Sequence, residues 1–327
     1  MVEKVLSQYD LGHAAIVEPL GNAGGFSGSQ LWKVKTVVGE FCLRRWPRPQ
    51  PGPSQLTMIH DVLQHVYANG CPLVAVPLKS KDGQTLIRSD DYAWEVSQWV
   101  SGAADFLADP NDRRLYSAMH ALANFHVAAA QWRCTDFGSE NLQTVARNLN
   151  RVPEAISIAH DSCHRSKIAP MKLLEMVEHL QRGGQKLADS LLQQIKPFRS
   201  ETYRIQPVIR DIWHDHVFFD GDTVSGIVDF GAMSTDIVSF DIARLLGSLV
   251  GDDSERFMNA MDAYSEIRPL SIAERDLIPI LDRCGVLIGC LHWLKWLTVE
   301  NRTFESEAAV EKRIVMLTNR LTKILYE

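Results

Sequence analysis

Six cysteines, at positions 42, 71, 134, 163, 284 and 290, include no short paired spacing. That absence excludes a zinc ribbon and offers no disulfide framework. Scattered thiols suit a reducing compartment, and the cytoplasm is the expected location. Basic charge is scarce as well: 34 Lys and Arg stand against 40 Asp and Glu, a net charge of -6. A nucleic-acid partner, which needs a basic face, is therefore not expected. The opening segment MVEKVLSQYDLGHAA has no apolar signal core. The most apolar late segment, Leu277 to Leu297, contains Asp282, Arg283, His292 and Lys295, which are costly in lipid, so no membrane partner is expected either. Neither a repeat period nor a low-complexity tract is visible.

What is present falls into two regimes of hydrophobic period. Up to about Gln98, short β-rich runs alternate with turn signals: AAIVEPL, SQLWKVKTV, EFCLRRW, PLVAVPL, QTLIRS and YAWEVSQW. Gln55 to Ala68 interrupts them with Leu56, Ile59, Leu63 and Val66 at helical spacing. Beyond Gly102 the pattern is mostly helical, with helices expected over 113–132, 152–165, 170–196, 240–250, 254–265, 271–298 and 305–325. Only 208–230 breaks that pattern, where VIRDIW, HVFFDG and SGIVDFG read as short strands. With 327 residues the chain is long enough for two domains or lobes. The expectation is an α+β chain: a small β-rich N-lobe over 1–97, a five-stranded sheet plus one helix, and a larger, mainly helical C-lobe over 98–327.

Three segments of the β-rich part suit a nucleotide. VEPLGNAGGFSGSQLWKV places Gly24, Gly25 and Gly28 between two strand-like runs. Glycine lets backbone N–H groups approach a polyphosphate, and Ser27 or Ser29 adds a hydroxyl. An ordinary flexible hairpin is the plainer reading of this loop taken alone. It has neither a Walker GK[ST] nor the helix that opens after a dinucleotide fingerprint. In FCLRRWP, Arg44 stands at the end of the third run, where a planar guanidinium suits phosphate oxygens. The alternative is a solvated strand-end pair with Arg45. His60, or Gln55, is the expected partner of Arg44. Finally, Gln98, Trp99 and Val100 form an extended connector whose backbone suits an adenine edge.

Eighteen residues separate Asp211 from Asp229, and Phe230 and Gly231 follow directly. Taken with the glycine hairpin, LRR, the connector ending in Gly102, ALANFH and FDIARLL, this order resembles the aminoglycoside phosphotransferase and choline kinase-like family, small-molecule relatives of the protein kinases. The resemblance covers nearly the whole chain. It implies a bilobal protein-kinase-like fold and transfer of the γ-phosphoryl group of ATP to a hydroxyl of a small molecule, with Mg²⁺, or Mn²⁺, as cofactor. Carried onto this sequence, it makes Asp211 the base or hydroxyl-orienting residue and Asp229 the main metal ligand. Asp215 is a rival base, although it lies only 14 residues before Asp229.

Two positions depart from the family pattern. Ile209 stands where the family usually has His, and His216 stands where its metal-binding Asn would fall. Mg²⁺ prefers oxygen and Mn²⁺ tolerates nitrogen better. His216 then ligates metal, or donates to phosphate, or the second metal position is lost. The alternative function is a nucleotide-binding pseudokinase with a regulatory or scaffold role. The resemblance also places the acceptor near the later helices, with Asp215, Arg283, His292 and Trp293 as lining candidates. Glu300, Glu305, Glu307 and Glu311 alternate there with Arg302, Lys312 and Arg313, a poor match for a polycationic antibiotic. His160 and His164 lack the Glu of an HExxH site and read as a solvated helix face.

Overall fold

The computed structural model describes residues 1–12, 14–21, 25–26, 28–49, 51–132, 135–137, 139–162 and 170–326. It divides into two compact units. One comprises Met1–Arg133, Pro207–Ser234 and Ala263–Arg268; the other comprises Cys134–Gln206, Thr235–Asp262 and Pro269–Glu327.

In the first unit a short helix, α1 (Val2–Leu6), precedes β1 (Ala14–Gly21), β2 (Gln30–Thr36) and β3 (Gly39–Arg45); α2 (Pro53–Ala68) follows, then β4 (Ile87–Ser89) and β5 (Tyr92–Gln98). The strands form one antiparallel sheet in the order β1-β2-β3-β5-β4. Alternation along each strand assigns its two faces. Val34, Phe41, Leu43, Trp94 and Val96 point to a core that α1 closes with Val5 and Leu6. Arg44, Glu95 and Ser97 therefore fall on the opposite face.

Pro53 begins α2, where a missing N–H costs nothing, and Leu56, Ile59, His60, Val62, Leu63 and Val66 are its buried side. One expected strand does not form. PLVAVPL (72–78) makes only single bridges, Val74 to Ile227 and Pro77 to Ser97, because Pro72 and Pro77 bring no N–H to a ladder. After the connector, α3 (Asp112–Ala129) opens with Asn111 accepting from the Arg114 N–H at 3.0 Å.

The later strands are short: β6 (Thr135–Phe137), β7 (Tyr203–Val208), β8 (Val217–Asp220), β9 (Thr223–Ile227) and β10 (Ser234–Asp236). The first two and the last pair in the order β10-β7-β6, and β8 and β9 make a hairpin. VIRDIW is not the strand its composition suggests. β7 ends at Val208, and Arg210 takes a left-handed φ of 72°, which no regular strand contains.

The second unit is built mainly from α4 (Glu140–Asn150), α5 (Val152–Ser162), α6 (Pro170–His179), α7 (Gln185–Ile195), α8 (Ser239–Leu249), most of α9 (Ser254–Ile267), α10 (Ile272–Leu294) and α11 (Glu307–Tyr326). A full capping box, Ser271 with Glu274, starts α10, and a π-helical turn, Lys295–Val299, ends it. This helix with its turn contains an 18-residue stretch of mean hydropathy 1.5, half of it buried inside the structure. Its Asp282 is bonded by Arg320 of α11, so the charge has its partner within the unit.

Candidate active site

The spacing of Asp211 and Asp229 has a simple structural basis. The chain leaves Asp211, makes one tight turn at His214–His216, runs out along β8 and returns along β9. Gly221, with φ of 58°, supplies the hairpin turn. Val217 pairs with Ile227, and the Val228 N–H donates to the His216 carbonyl at 3.0 Å. Eighteen residues of sequence are thus an outward and return path that brings His216 beside the start of the DFG segment. Two left-handed residues flank the path, Arg210 at φ 72° and Asp229 at φ 64°. Non-glycine residues held there store backbone strain of about 1–3 kcal/mol each, a cost met mostly at functional sites.

His216 is oriented from both ring nitrogens. Its Nδ1 lies 2.8 Å from the Asp211 carbonyl and its Nε2 accepts from the Trp213 indole N–H at 2.9 Å. This pattern fits a neutral ring protonated on Nδ1. The same Nε2 lies 3.6 Å from Asp229 Oδ2. On its other oxygen, Asp229 accepts from Arg44 Nη1 at 2.9 Å. Burial opposes the charge of Asp229, but Arg44, by charge and hydrogen bond, together with the Gly231 N–H holds the carboxyl below the usual carboxylate range. Phe230, next along, stacks on Phe125 of α3 with ring centroids 5.9 Å apart.

Arg44 does not find the partner expected for it. His60 bonds Thr85 through Nδ1 (2.9 Å) and Glu95 through Nε2 (2.7 Å). It is Glu95, directly across the β3–β5 register, that lies 4.0 Å from Arg44 Nε. Burial opposes the charge of Glu95 too; its bond with His60, the charges of His60 and Arg44, and the Trp46 indole N–H at 2.8 Å keep its pKa low. Burial likewise works against the Arg44 cation, and Asp229 and Glu95 together overcome it. Glu95 and Trp46 were missed by sequence reasoning. The one signal for Glu95 is its parity: alternation with buried Trp94 and Val96 puts it on the face of Arg44.

A pocket in this unit is walled by Leu20, Leu31 and Val228, by Arg44, Glu95 and Asp229, and along one edge by Gln98, Trp99 and Val100. Gly28 takes φ of 80° beside Pro47, and Gly25 is half-buried. Gly24 and Ser27 lie outside the described residues. Asp215 is exposed, 3.4 Å from His214 Nε2. In the second unit Trp293 is buried against Trp296 and Phe304, whereas Arg283 and His292 are exposed. Their separation in α10 puts those two on roughly opposite helix faces at about 100° per residue, so they do not line one surface.

The chain is similar to several known proteins. A model described as the phosphotransferase enzyme family matches residues 20–275. The homoserine kinase of Gluconobacter oxydans is 26% identical over 289 residues, 86% of this chain and 82% of that protein. An aminoglycoside phosphotransferase from Alicyclobacillus acidocaldarius superposes with a TM-score of 0.69 at 17% identity, over 99% of this chain and 93% of that one. A spectinomycin phosphotransferase, solved with ADP and spectinomycin, superposes with a TM-score of 0.70 at 8% identity, over 98% and 96%.

Proposed function

We propose, from the premise that this chain belongs to the phosphotransferase enzyme family, that it transfers the γ-phosphoryl group of ATP to the hydroxyl of a small amino-bearing alcohol of the homoserine kind. As a member of that family it is a small-molecule phosphotransferase. The observation that carries the ATP-dependent part of this reading is the Arg44–Asp229 ion pair in the wall of a pocket edged by Gln98–Val100. A phosphate-binding cation and a metal-binding carboxylate are set side by side there.

The connector favours adenine. The Trp99 N–H is bonded to the Glu40 carbonyl (3.0 Å), and the Val96 carbonyl accepts from Leu78 (2.7 Å). By strand alternation the Gln98 carbonyl then faces away from β3, where it suits the exocyclic amine of adenine rather than the carbonyl of guanine. Among the described residues no cluster of three His, Cys, Asp or Glu is arranged to hold a metal. Mg²⁺ needs no such cage, since it commonly binds one or two carboxylates together with substrate phosphates and water. Asp229 would hold it, with His216 beside it, and the ion would supply charge neutralisation on the phosphates.

The chain's own residues do the rest. Asp211 orients the acceptor hydroxyl and takes its proton as the oxygen attacks the γ-phosphorus. The bond from that phosphorus to the β–γ bridging oxygen breaks, leaving ADP and a phosphate monoester. Arg44 bonds the phosphate oxygens, a bidentate role that suits its planar fork. The pseudokinase alternative gains nothing from a relative named for its kinase activity. The acceptor class rests on that relative.

The test is ATP consumption with Mg²⁺ or Mn²⁺ over a panel of homoserine, serine, small amino alcohols, sugars and aminoglycosides. Homoserine or a close amino alcohol should be the best acceptor. Asp211→Asn should lower turnover by roughly 10²- to 10⁴-fold, the scale of general acid–base groups. Unchanged turnover in that variant would remove Asp211 from the mechanism, and a sugar as best acceptor would overturn the substrate class.

A further inference from the structure

Around Arg44 in the pocket wall lies a cluster of side chains, all within the first unit. Glu95 Oε2 accepts from the Trp46 N–H at 2.8 Å and lies 2.7 Å from His60 Nε2. The His60 side chain is 1% exposed and is pinned at its other nitrogen by Thr85 at 2.9 Å. With Glu95 ionised and acceptor-only, Nε2 carries a proton and the ring has one orientation. Trp46 makes two more contacts. Its ring face lies 4.6 Å from the Arg44 guanidinium carbon, a cation–π arrangement. Its outer edge also approaches the DFG segment so closely that a Cβ on Gly231 would fall 2.7 Å from it.

Arg44 is thus held by three groups of different kinds. Asp229 takes one N–H at 2.9 Å, Glu95 stands 4.0 Å from Nε, and the Trp46 ring covers one face. Only one of the two carboxylates is free to keep this role during turnover, because a metal–nucleotide complex competes for Asp229. A guanidinium with no second anchor would then be free to leave the wall. Glu95 is fixed by two neighbours, His60 and Trp46, and its strand is hydrogen-bonded to the strand of Arg44.

We infer that Glu95, pinned by His60 and Trp46, is the positioning residue that keeps Arg44 on the pocket wall when Asp229 turns to the metal–nucleotide complex. Trp46 links this clamp to the DFG segment through Gly231. The inference rests on the phosphotransferase reading and adds to it a positioning function for three residues that line the pocket around Arg44.

A binding cycle on the full chain tests it. Mg·ADP is titrated calorimetrically into the wild type, Glu95→Gln, Arg44→Gln and the double variant. Glu95→Gln should weaken binding about 10-fold, but less than about 2-fold once Arg44 is already Gln, since residues acting through one contact do not add. In steady state the KM for ATP should rise while the KM for the acceptor stays within about 2-fold. Trp46→Phe keeps a ring over Arg44 and removes the N–H to Glu95, so a weakening of about 3-fold with the same dependence on Arg44 is expected. Equal weakening in both backgrounds would mean that Glu95 acts on the fold alone, and unchanged affinity would mean that it does not act; either overturns the clamp. Should Glu95→Gln fail to fold, the Trp46→Phe cycle decides the matter by the same criteria. A wild type that does not bind Mg·ADP sinks the phosphotransferase reading first, and the clamp with it.

Discussion

Arg44 in the first unit and Arg320 in the second each stand between two carboxylates. Arg320 uses all five of its donor hydrogens: on Asp252 (3.1 and 2.8 Å), on Asp282 (3.0 and 2.6 Å) and on the Gly247 carbonyl (3.1 Å). The side chains of Arg320, Asp252 and Asp282 are only 11–18% exposed. Arg44 makes one hydrogen bond, stands 4.0 Å from its second carboxylate and lines a pocket. The same three charges therefore make a closed knot in one unit and an open one in the other. A saturated arginine ties helices together, and one with donors left over is suited to phosphate. Charge composition alone would not tell them apart; the difference is how many donors the protein itself uses.

Removing each arginine should separate the two most sharply. Arg320→Leu leaves two buried carboxylates without their cation, and a loss of about 3–5 kcal/mol is expected, read as a lowered midpoint in urea unfolding. Arg44→Leu should cost less, about 1–2 kcal/mol, because Asp229 is 31% exposed and Glu95 keeps His60 and Trp46. Its main effect should be on ATP turnover. Equal destabilisation by the two would show that the Arg44 cluster is as structural as the other.

Much of this contrast was open to reading from the sequence, though unevenly. The acids Asp211 and Asp229 with their spacing, the glycine hairpin and the long helices carry local or periodic signals. Glu95 as the neighbour of Arg44 depends on the β3–β5 register, which sets residues 51 apart in sequence face to face. No local pattern encodes that pairing. Helical spacing points to His60 as a partner for Arg44, but Glu95 lies between them. Arg320, Asp282 and Asp252 carry no local signal for the same reason, as they meet only when α10, α11 and the turn after α8 pack together. The run PLVAVPL misled in the opposite way: its β-rich composition is real, but two prolines deprive it of ladder donors.

The glycines beside the two clusters refine the contrast at a smaller scale. A Cβ on Gly247 would fall 2.0 Å from Asp282 Oδ1 and 2.8 Å from Arg320 Nη1. Neither atom can move without losing a bond, so Gly247→Ala should cost about 1–3 kcal/mol as an overpacking change. On Gly231 the added carbon would crowd the far edge of the Trp46 ring, at 2.7 and 2.9 Å, and touch Asp229 Oδ1 at an ordinary 3.7 Å. That ring can tilt, so Gly231→Ala should lose less stability than Gly247→Ala and weaken Mg·ADP binding more. The reverse order, seen by thermal unfolding and calorimetry on the same preparations, would contradict the assignment of one closed and one open cluster.

The smallest expected effect concerns pH. Glu95 and Asp229 both have folded pKa values below their ordinary 4.5 and 3.8. Between the folded and the ordinary value the unfolded chain binds more protons, so unfolding free energy rises with pH there. The stability that these two groups contribute is fully present above about pH 5 and is lost as pH falls through their folded values. Glu95→Gln removes one of them. Its stability should therefore fall less steeply than that of the wild type when urea midpoints are followed from about pH 7 down to about pH 3, and the curves should run parallel above about pH 5. Parallel curves over the whole range would show that Glu95 is no better stabilised as a carboxylate in the fold than in water, and the contrast with the saturated cluster would then rest on geometry alone.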